Sequence, residues 1–581
     1  MRYKMMRCSL QANGSRTNFF MHAVMGQGTI SVLPSPSRKI VIPSEARGSI
    51  ATERESRDLG VESLAFLANK NRDSLPSPSP KIVIPSETRG SIATERESRD
   101  PGVVGLLANK NRDSSPCPHS PAAAGSLGRA EPRPFKTDDA KSGAAALCLL
   151  VVLLLVLPAF SQDWIRTGTG LGVEKVRLAV PDFKVATTGA SNAQLQRVFD
   201  DVLWNDLANA GIFDMVSKSF YPLQTPGAPQ DLNITAWGNP PPNASMVAFG
   251  NLGVTGADLQ VQGWLFDAKN ASAPQVLGKQ YKEPANQQSA RDIAHKFAAE
   301  IIFRLGGGIQ AITESKIFFI SSRTGHKEVW EMDYDGANQH QITRLGSISL
   351  SPRISPDGNR LAFTTYAHGS PDVVVWSLEL NRFLTFPRFG GTNASPAWSP
   401  DGTKLLLSSS RNGDQEIYLV NDNGSGLKRL TAYKGVDISP VWNPKTGGQI
   451  AWVSDRSGLP QIYVMDADGA NMQRMTDGGY AVSPSWSPNG QFLLFSWSRK
   501  WGPGEPGGQD IYIMDIASRQ WVQLTNRGRN DFPSWSPDGR HIVFQSNRSG
   551  SDQIWTMLAD GSQQRQLTFS GSNTMPNWSW K

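Results

Sequence analysis

Cysteine is nearly missing: the 581 residues hold three, Cys8, Cys117 and Cys148, and none follows. The long stretch after Cys148 has no thiolate nucleophile, no thiolate metal ligand and no disulfide, so it must be held by its apolar core. Histidine is sparse there as well. His295, His326, His340, His368 and His541 fall singly, none with a second ligand at metal spacing. Beyond residue 161 there is no G-x-S-x-G elbow, Walker loop, H-E-x-x-H or C-x-x-C. Gly168, Gly170 and Gly172 precede the first strand instead of following it, which argues against a phosphate loop. The sequence thus offers no catalytic residue, no metal site and no cofactor site, and the expectation is a protein that is not an enzyme.

Other residues are absent only locally. All 17 Trp lie at or after Trp164, and no Met occurs between Met25 and Met215. Of the 58 Lys+Arg and 51 Asp+Glu, 21 and 14 lie in residues 1–161, so the formal +7 belongs to the front segment and the remainder is balanced. The basic balance is therefore no argument for a nucleic-acid partner.

Two kinds of sequence are joined. Within residues 1–140, "KIVIPSEARGSIATERESRD" from Lys39 returns almost unchanged from Lys81, and "LANKNRDS" follows each copy. Near-identity with abundant Ser, Pro and Arg is unlike packed repeats, which diverge at the surface. This segment is expected to be a low-complexity extension, arising from a misplaced start or translated repetitive DNA; a disordered cytoplasmic tail is the alternative. Residues 141–161 contain "AAALCLLVVLLLVLPAF". Pro158, with small Ala159 and Ser161 before Gln162, favours a signal peptide cut between Ser161 and Gln162 over a retained anchor. Residues 162–173, rich in Gly and Thr, read as a mobile arm.

Residues 174–312 read as a small α/β domain. "VRLAVPDF" has strand character, "NAQLQRVFDDVLWNDLANAG" from Asn192 has helical spacing with Gly211 as its stop, and "IFDMVSKS", "SMVAFGNLG" and "ADLQVQGWLFDA" suggest further strands. "QQSARDIAHKFAAEIIFRLGG" from Gln287 is a second amphipathic helix ending at Gly306.

From 313 to 581 a phrase recurs: "PRISPDG" from Pro352, "PAWSPDG" from Pro396, "PVWNPKTG" from Pro440, "PSWSPNG" from Pro484, "PSWSPDG" from Pro533 and "PNWSW" from Pro576. A period of about 40–50 residues with several short strands per unit is the signature of propeller blades. The first strands, from Lys316, lack a Pro-x-Trp strand before them, and the last Pro-x-Trp strand lacks a blade after it. Pairing the two ends gives six blades closed by the C-terminal strand. The fold class expected is an α/β N-terminal domain followed by an all-β six-bladed propeller. Asp357, Asp401 and Asp538 of the phrase are expected to bind turn amides, and its Trp residues to pack between blades.

The "LAVPDFK" opening, the α/β domain and the closing "PxWSPDG" array together resemble the TolB family over nearly all of residues 162–581. The resemblance implies a non-enzymatic adaptor of the periplasm, in the Tol-Pal system that maintains outer-membrane integrity and supports cell division. It would be peripheral to the envelope membranes and use no cofactor. It implies two partners: a Pal-like peptidoglycan-associated lipoprotein at the channel mouth, and a TolA-like inner-membrane protein at the arm, through Gln162, Asp163, Trp164, Ile165 and Arg166. Residues three before each Pro, namely Ser349, Asn393, Asp437, Ala481, Asn530 and Asn573, form a mostly polar ring suited to hydrogen-bonding a partner loop; Asp531 lies beside it. The rival readings are an exported propeller enzyme of peptidase, lactonase or glycosidase type and a small-ligand propeller. The peptidase would need about 250 further residues with a nucleophile. The glycosidase would need carboxylates such as Asp437 and Asp531 converging on the channel.

Overall fold

The computed structural model describes residues 4–12, 15–23, 174–186, 189–499, 501–502, 505–506 and 508–580. The expected signal cleavage point at Ser161 and Gln162, the arm and most of the front extension lie outside these residues. Within that extension, Lys4–Ala12 and Ser15–Ala23 pair as an antiparallel hairpin.

The α/β domain contains strands β1 (Val176–Ala179), β2 (Lys184–Val185), β3 (Phe213–Met215), β4 (Met246–Thr255), β5 (Asp258–Asp267) and β6 (Gln275–Pro284), in the order β3-β1-β4-β5-β6 with β2 against β4. Helices α1 (Ala190–Asn209) and α2 (Gln287–Leu305) pack on this sheet. Their apolar positions recur at helical spacing, so Leu195, Phe199, Leu203 and Leu207 of α1 and Ile293, Phe297 and Ile301 of α2 are buried together. Asn286 caps α2 by accepting from the Ser289 amide, and Gly306 ends it. Gly263, in the middle of β5, leaves room for the Phe297 ring, which a Cβ there would meet at 2.7 Å. Four of these strands correspond to segments readable in the sequence; β2 and β6 are additions.

Beyond Ile312 the chain forms six four-stranded antiparallel sheets. Blade 1 combines Lys316–Ser321, Glu328–Asp333 and His340–Gln341 with the C-terminal strand Asn573–Trp578 on its inner side. Blades 2 to 6 begin with inner strands Ser349–Ile354, Asn393–Trp398, Asp437–Trp442, Tyr480–Trp486 and Asn530–Trp535. Closure is direct: Asn573 pairs with Ser321, Thr574 with Ile320, Asn577 with Phe318 and Trp578 with Ile317. The ring is therefore joined by the two ends of its own array, and each blade keeps only short outer edges.

The repeated phrase has its expected structural role. The Asp357, Asp401 and Asp538 carboxylates accept from the amides of Asn359, Thr403 and Arg540 at 3.1, 3.1 and 2.9 Å. Trp398, Trp486, Trp535 and Trp578 are buried in the clusters that join neighbouring blades.

Every inner strand also carries a one-residue bulge. The residue before each Pro, Ser351, Ser395, Ser439, Ser483, Phe532 or Met575, is left-handed at φ 50–54°. Such a conformation is costly for a side chain, and six copies mark it as a built feature that re-aims the strand around the axis.

Candidate partner-binding face of the propeller

The antiparallel blades give the propeller two distinct faces. On the turn face lie the S-P-D-G turns and the hairpins between third and outer strands. On the loop face lie the connections from one blade to the next and those between second and third strands. The α/β domain is seated on the turn face of blades 1 and 6. There Arg540 Nη2 donates to the Gly306 carbonyl at 2.8 Å, and His541 Nε2 to the Asn209 carbonyl at 2.7 Å. Arg291 of α2 pairs with Asp335 at 2.8 Å, and Asp206 of α1 receives Tyr334 Oη and, at 2.7 Å, His295 Nδ1.

This junction is charged and mostly buried. Burial alone would lower the His295 imidazole, but the hydrogen bond and charge of Asp206 raise its pKa on balance. Burial drives the Tyr334 phenol well above its ordinary range, with the Asp206 charge adding to it. Beside His541, Asp538 is held below the usual carboxylate range: burial opposes this, but the His541 charge and the bonds from Ser536 and the Arg540 amide outweigh it. The domains are joined by specific pairs, and substituting one member would leave the other buried and unpaired.

The loop face carries the residues expected at the channel mouth, but their side chains are not presented outward. Ser349, Asn393, Asp437, Ala481, Asn530 and Asn573 are all buried, at 0–1% exposure. Four of the ring members bind inward. Asp437 accepts from Arg456 Nη2 at 2.7 Å, Asn530 from Arg548 Nη2 at 2.8 Å and Asn573 from Arg323 Nη2 at 3.0 Å, while Asn393 donates to Asp372 at 3.2 Å. Asp531, 4% exposed, accepts from Ser483 Oγ at 2.8 Å and from the Phe532 amide. In this structure the ring's polar groups are engaged within the propeller, where they tie inner strands to neighbouring segments. Each such Arg also lies over aromatic rings, as Arg456 does over Trp452 and Tyr463 at 5.4 and 5.0 Å. A Ser-x-Arg after the second strand, at Ser321, Ser454 and Ser546, accompanies this role, but the same pattern at Ser409 leaves Arg411 exposed, so the motif alone does not assign it.

A cavity of about 120 Å³ follows the axis toward the turn face. Its walls include the residue after the Pro of every repeat: Arg353, Ala397, Val441, Ser485, Ser534 and Asn577. This slot is the one freely changing position inside the phrase, so the repeat supplies the frame and a single residue per blade sets the lining. Asp437 and Asp531 are not among the lining residues, so they do not form a carboxylate pair across this cavity. Among the described residues no three His, Cys, Asp or Glu side chains are grouped to hold a metal ion, and no helix is long and apolar enough to cross a membrane.

Fold and faces together define a class: a two-domain propeller protein whose α/β domain is seated on one face, at blades 1 and 6, with no domain on the other face among the described residues. The TolB beta propeller domain family is matched over residues 304–502 and 479–581, and the TolB amino-terminal domain family over 169–273. The chain belongs to the TolB family. Among curated relatives, the Tol-Pal system protein TolB of Desulfosudis oleivorans is 35% identical over 247 residues, 41% of this chain and 54% of that one. The protein TolB homolog of Chlorobium chlorochromatii is 35% identical over 352 residues, 60% of this chain and 67% of that one. The match thus spans about half of the first relative and two thirds of the second. The crystal structure of TolB from Acinetobacter baumannii superposes with a TM-score of 0.59 at 22% identity, covering 70% of this chain and 97% of that one, which speaks to the fold.

Proposed function

We propose that this chain is a non-enzymatic adaptor of the Tol-Pal envelope system, working in the periplasm without a cofactor. The observation that carries the reading is the division of labour between faces in a chain of the TolB family. The α/β domain is seated on the turn face at blades 1 and 6, whereas among the described residues no other domain contacts the loop face, which supports the loop face as the one offered to a partner. On this reading a Pal-like lipoprotein docks on the loop face, above the buried ring of Ser349, Asn393, Asp437, Asn530 and Asn573. The segment Gln162, Asp163, Trp164, Ile165 and Arg166 reaches a TolA-like inner-membrane protein. Such a link between envelope layers supports outer-membrane integrity and cell division. A terminal arm and a propeller suit the two tasks, because what one binds can be coupled to what the other binds.

The test is affinity capture from an envelope extract, using the chain from Gln162 onward and a version lacking 162–173. The expected result is a peptidoglycan-binding lipoprotein with both, and a TolA-like protein with the longer version alone. Capture of neither, with folded bait, would overturn the adaptor reading.

A further inference from the structure

The two propeller faces differ in charge as well as in cover. The described residues of the twelve loop-face connections hold eleven Lys and Arg against five Asp and Glu, whereas the turn-face connections hold three against eight. Acidic strand ends lie beneath the loop face, but they are engaged: Asp372 pairs with Arg388 at 2.7 Å, Glu416 with Arg429 at 2.5 Å and Asp437 with Arg456 at 2.7 Å. Asp510 accepts from Thr525 and Asn530, and Glu328 from Thr343 and the amides of Leu345 and Gly346.

What remains at the surface is predominantly cationic. Arg344, Arg411, Lys434, Arg499 and Arg527 are exposed and form no ion pair with any described residue, against the exposed acids Asp414 and Asp477. They come from connections spread around the ring, so the excess encircles the mouth. Exposed apolar side chains stand among them: Ile348 at 36%, Leu459 at 43% and Phe569 at 77% exposure. Apolar contacts within a charged rim are the composition of a protein-docking surface, and a rim of one sign selects a partner of the other.

We infer that the loop face docks an acidic protein surface, steering it by the cations of this rim. This rests on the loop face being the docking face, as proposed above, and adds the chemistry of the partner. Arg344→Glu, Lys434→Glu and Arg527→Glu together reverse the rim; Lys404→Glu, Lys445→Glu and Arg519→Glu make the same change on the turn face as a control. All six side chains are exposed, so unchanged melting is expected to confirm folding in both triples.

Two probes are used with each protein: labelled deca-glutamate, and the lipoprotein captured from extract. The loop-face triple is expected to slow association with either by about tenfold at low salt and to remove most of its salt dependence, and the turn-face triple to change it less than about twofold. A captured lipoprotein that associates equally with wild type and the loop-face triple overturns the acidic-partner inference and leaves the adaptor reading intact. Failure to capture any lipoprotein, with deca-glutamate binding still abolished by the loop-face triple, overturns the adaptor reading and keeps the acidic-surface inference. Binding of phosphatidylglycerol vesicles as tightly as deca-glutamate, lost in the same triple, would replace a protein partner by an anionic membrane surface.

Discussion

Removal of Pro576–Lys581 tests how the ring is closed. The deletion takes away Trp578, which is 3% exposed and packs in the cluster of Ile317, Phe319 and Met332. Truncating a buried Trp costs about 3–5 kcal/mol. It also removes a set of specific bonds. Trp578 Nε1 donates to Ser315 Oγ at 2.7 Å and its amide to Ser534 Oγ at 3.2 Å. The Ser579 amide donates to the Lys316 carbonyl, the Lys316 amide to Ser579 Oγ, both at 2.8 Å, and the Ile354 amide to Asn577 Oδ1 at 3.1 Å. At about 1 kcal/mol each these add roughly 5 kcal/mol, so the loss is on the order of 8–10 kcal/mol. That is comparable with the whole stability of an ordinary domain, about 5–15 kcal/mol, and the propeller should open. Urea unfolding followed by tryptophan fluorescence measures it, with Trp580→Ala, at a 42% exposed site, as a control expected within about 0.5 kcal/mol. A deletion that lowers the unfolding free energy by less than about 2 kcal/mol would refute closure by this strand as the main bond of the ring.

Further outcomes are expected from other parts of the molecule. Asp206→Ala leaves His295 and Tyr334 without their shared acceptor and should cost about 3–5 kcal/mol, read as a lower urea midpoint and faster proteolysis at the domain junction; an unchanged midpoint would mean the pair is not holding the domains. At the bulge, Ser439→Gly should be near neutral, whereas Ser439→Val, β-branched at φ 52°, should cost about 1–3 kcal/mol by thermal melting; equal melting of the two would remove the left-handed constraint from the account. Trp164→Ala should weaken capture of the TolA-like partner while sparing the lipoprotein, and loss of both or of neither would count against the arm.

The blades were legible because one phrase does one job six times, and Pro-Asp-Gly turns and apolar strands need no distant partner to be recognised. The helices were legible for a similar reason, since their apolar spacing is local. Strand β6 was missed because it is an edge strand rich in polar residues: in "GKQYKEP" Lys279 meets Glu300 of α2 at 2.5 Å and Lys282 meets Asp258 at 2.9 Å, and the run reads as polar loop. The bulge was invisible because Ser, Phe and Met occupy a left-handed position that glycine or asparagine would have announced. The ring three residues before each Pro was read as outward-facing because polarity usually signals exposure. Here each blade covers that residue with its own second strand, and in blades 1, 4 and 6 an arginine supplies the missing partner. Burial of a polar group is decided by a residue elsewhere in the chain, so position within a repeat cannot reveal it alone.

The pH dependence of the α/β domain follows from Asp200. Its Oδ1 accepts the Phe183 amide at 3.1 Å, and burial is the largest influence, raising its pKa to about 7 despite that bond. Lys218 and Gln196 pull the value down and Asp182 pushes it up. A carboxyl whose folded pKa exceeds its unfolded value, about 3.9, favours folding in its neutral form. Its contribution is complete below about pH 4, declines as pH rises, and is gone above about pH 7, where the native state must carry a buried charge. His295 has the same sign in a later window: its raised pKa supports the junction below about pH 6.5 and the support is lost as pH climbs through the folded value. Asp200→Asn keeps an acceptor for the Phe183 amide without the charge. The variant should therefore show a flatter stability profile between about pH 4 and pH 7 and exceed wild type at pH 8, by up to about 4 kcal/mol from the size of the shift. Parallel profiles for wild type and variant across that window would mean that Asp200 titrates in the folded protein as it does in the unfolded chain, and that the polar loop around Phe183 admits water to it. If the profiles diverge while the decline above pH 6.5 persists in Asp200→Asn and vanishes in His295→Gln, the two buried groups are separable, one tuning the α/β core and the other its seat on the propeller.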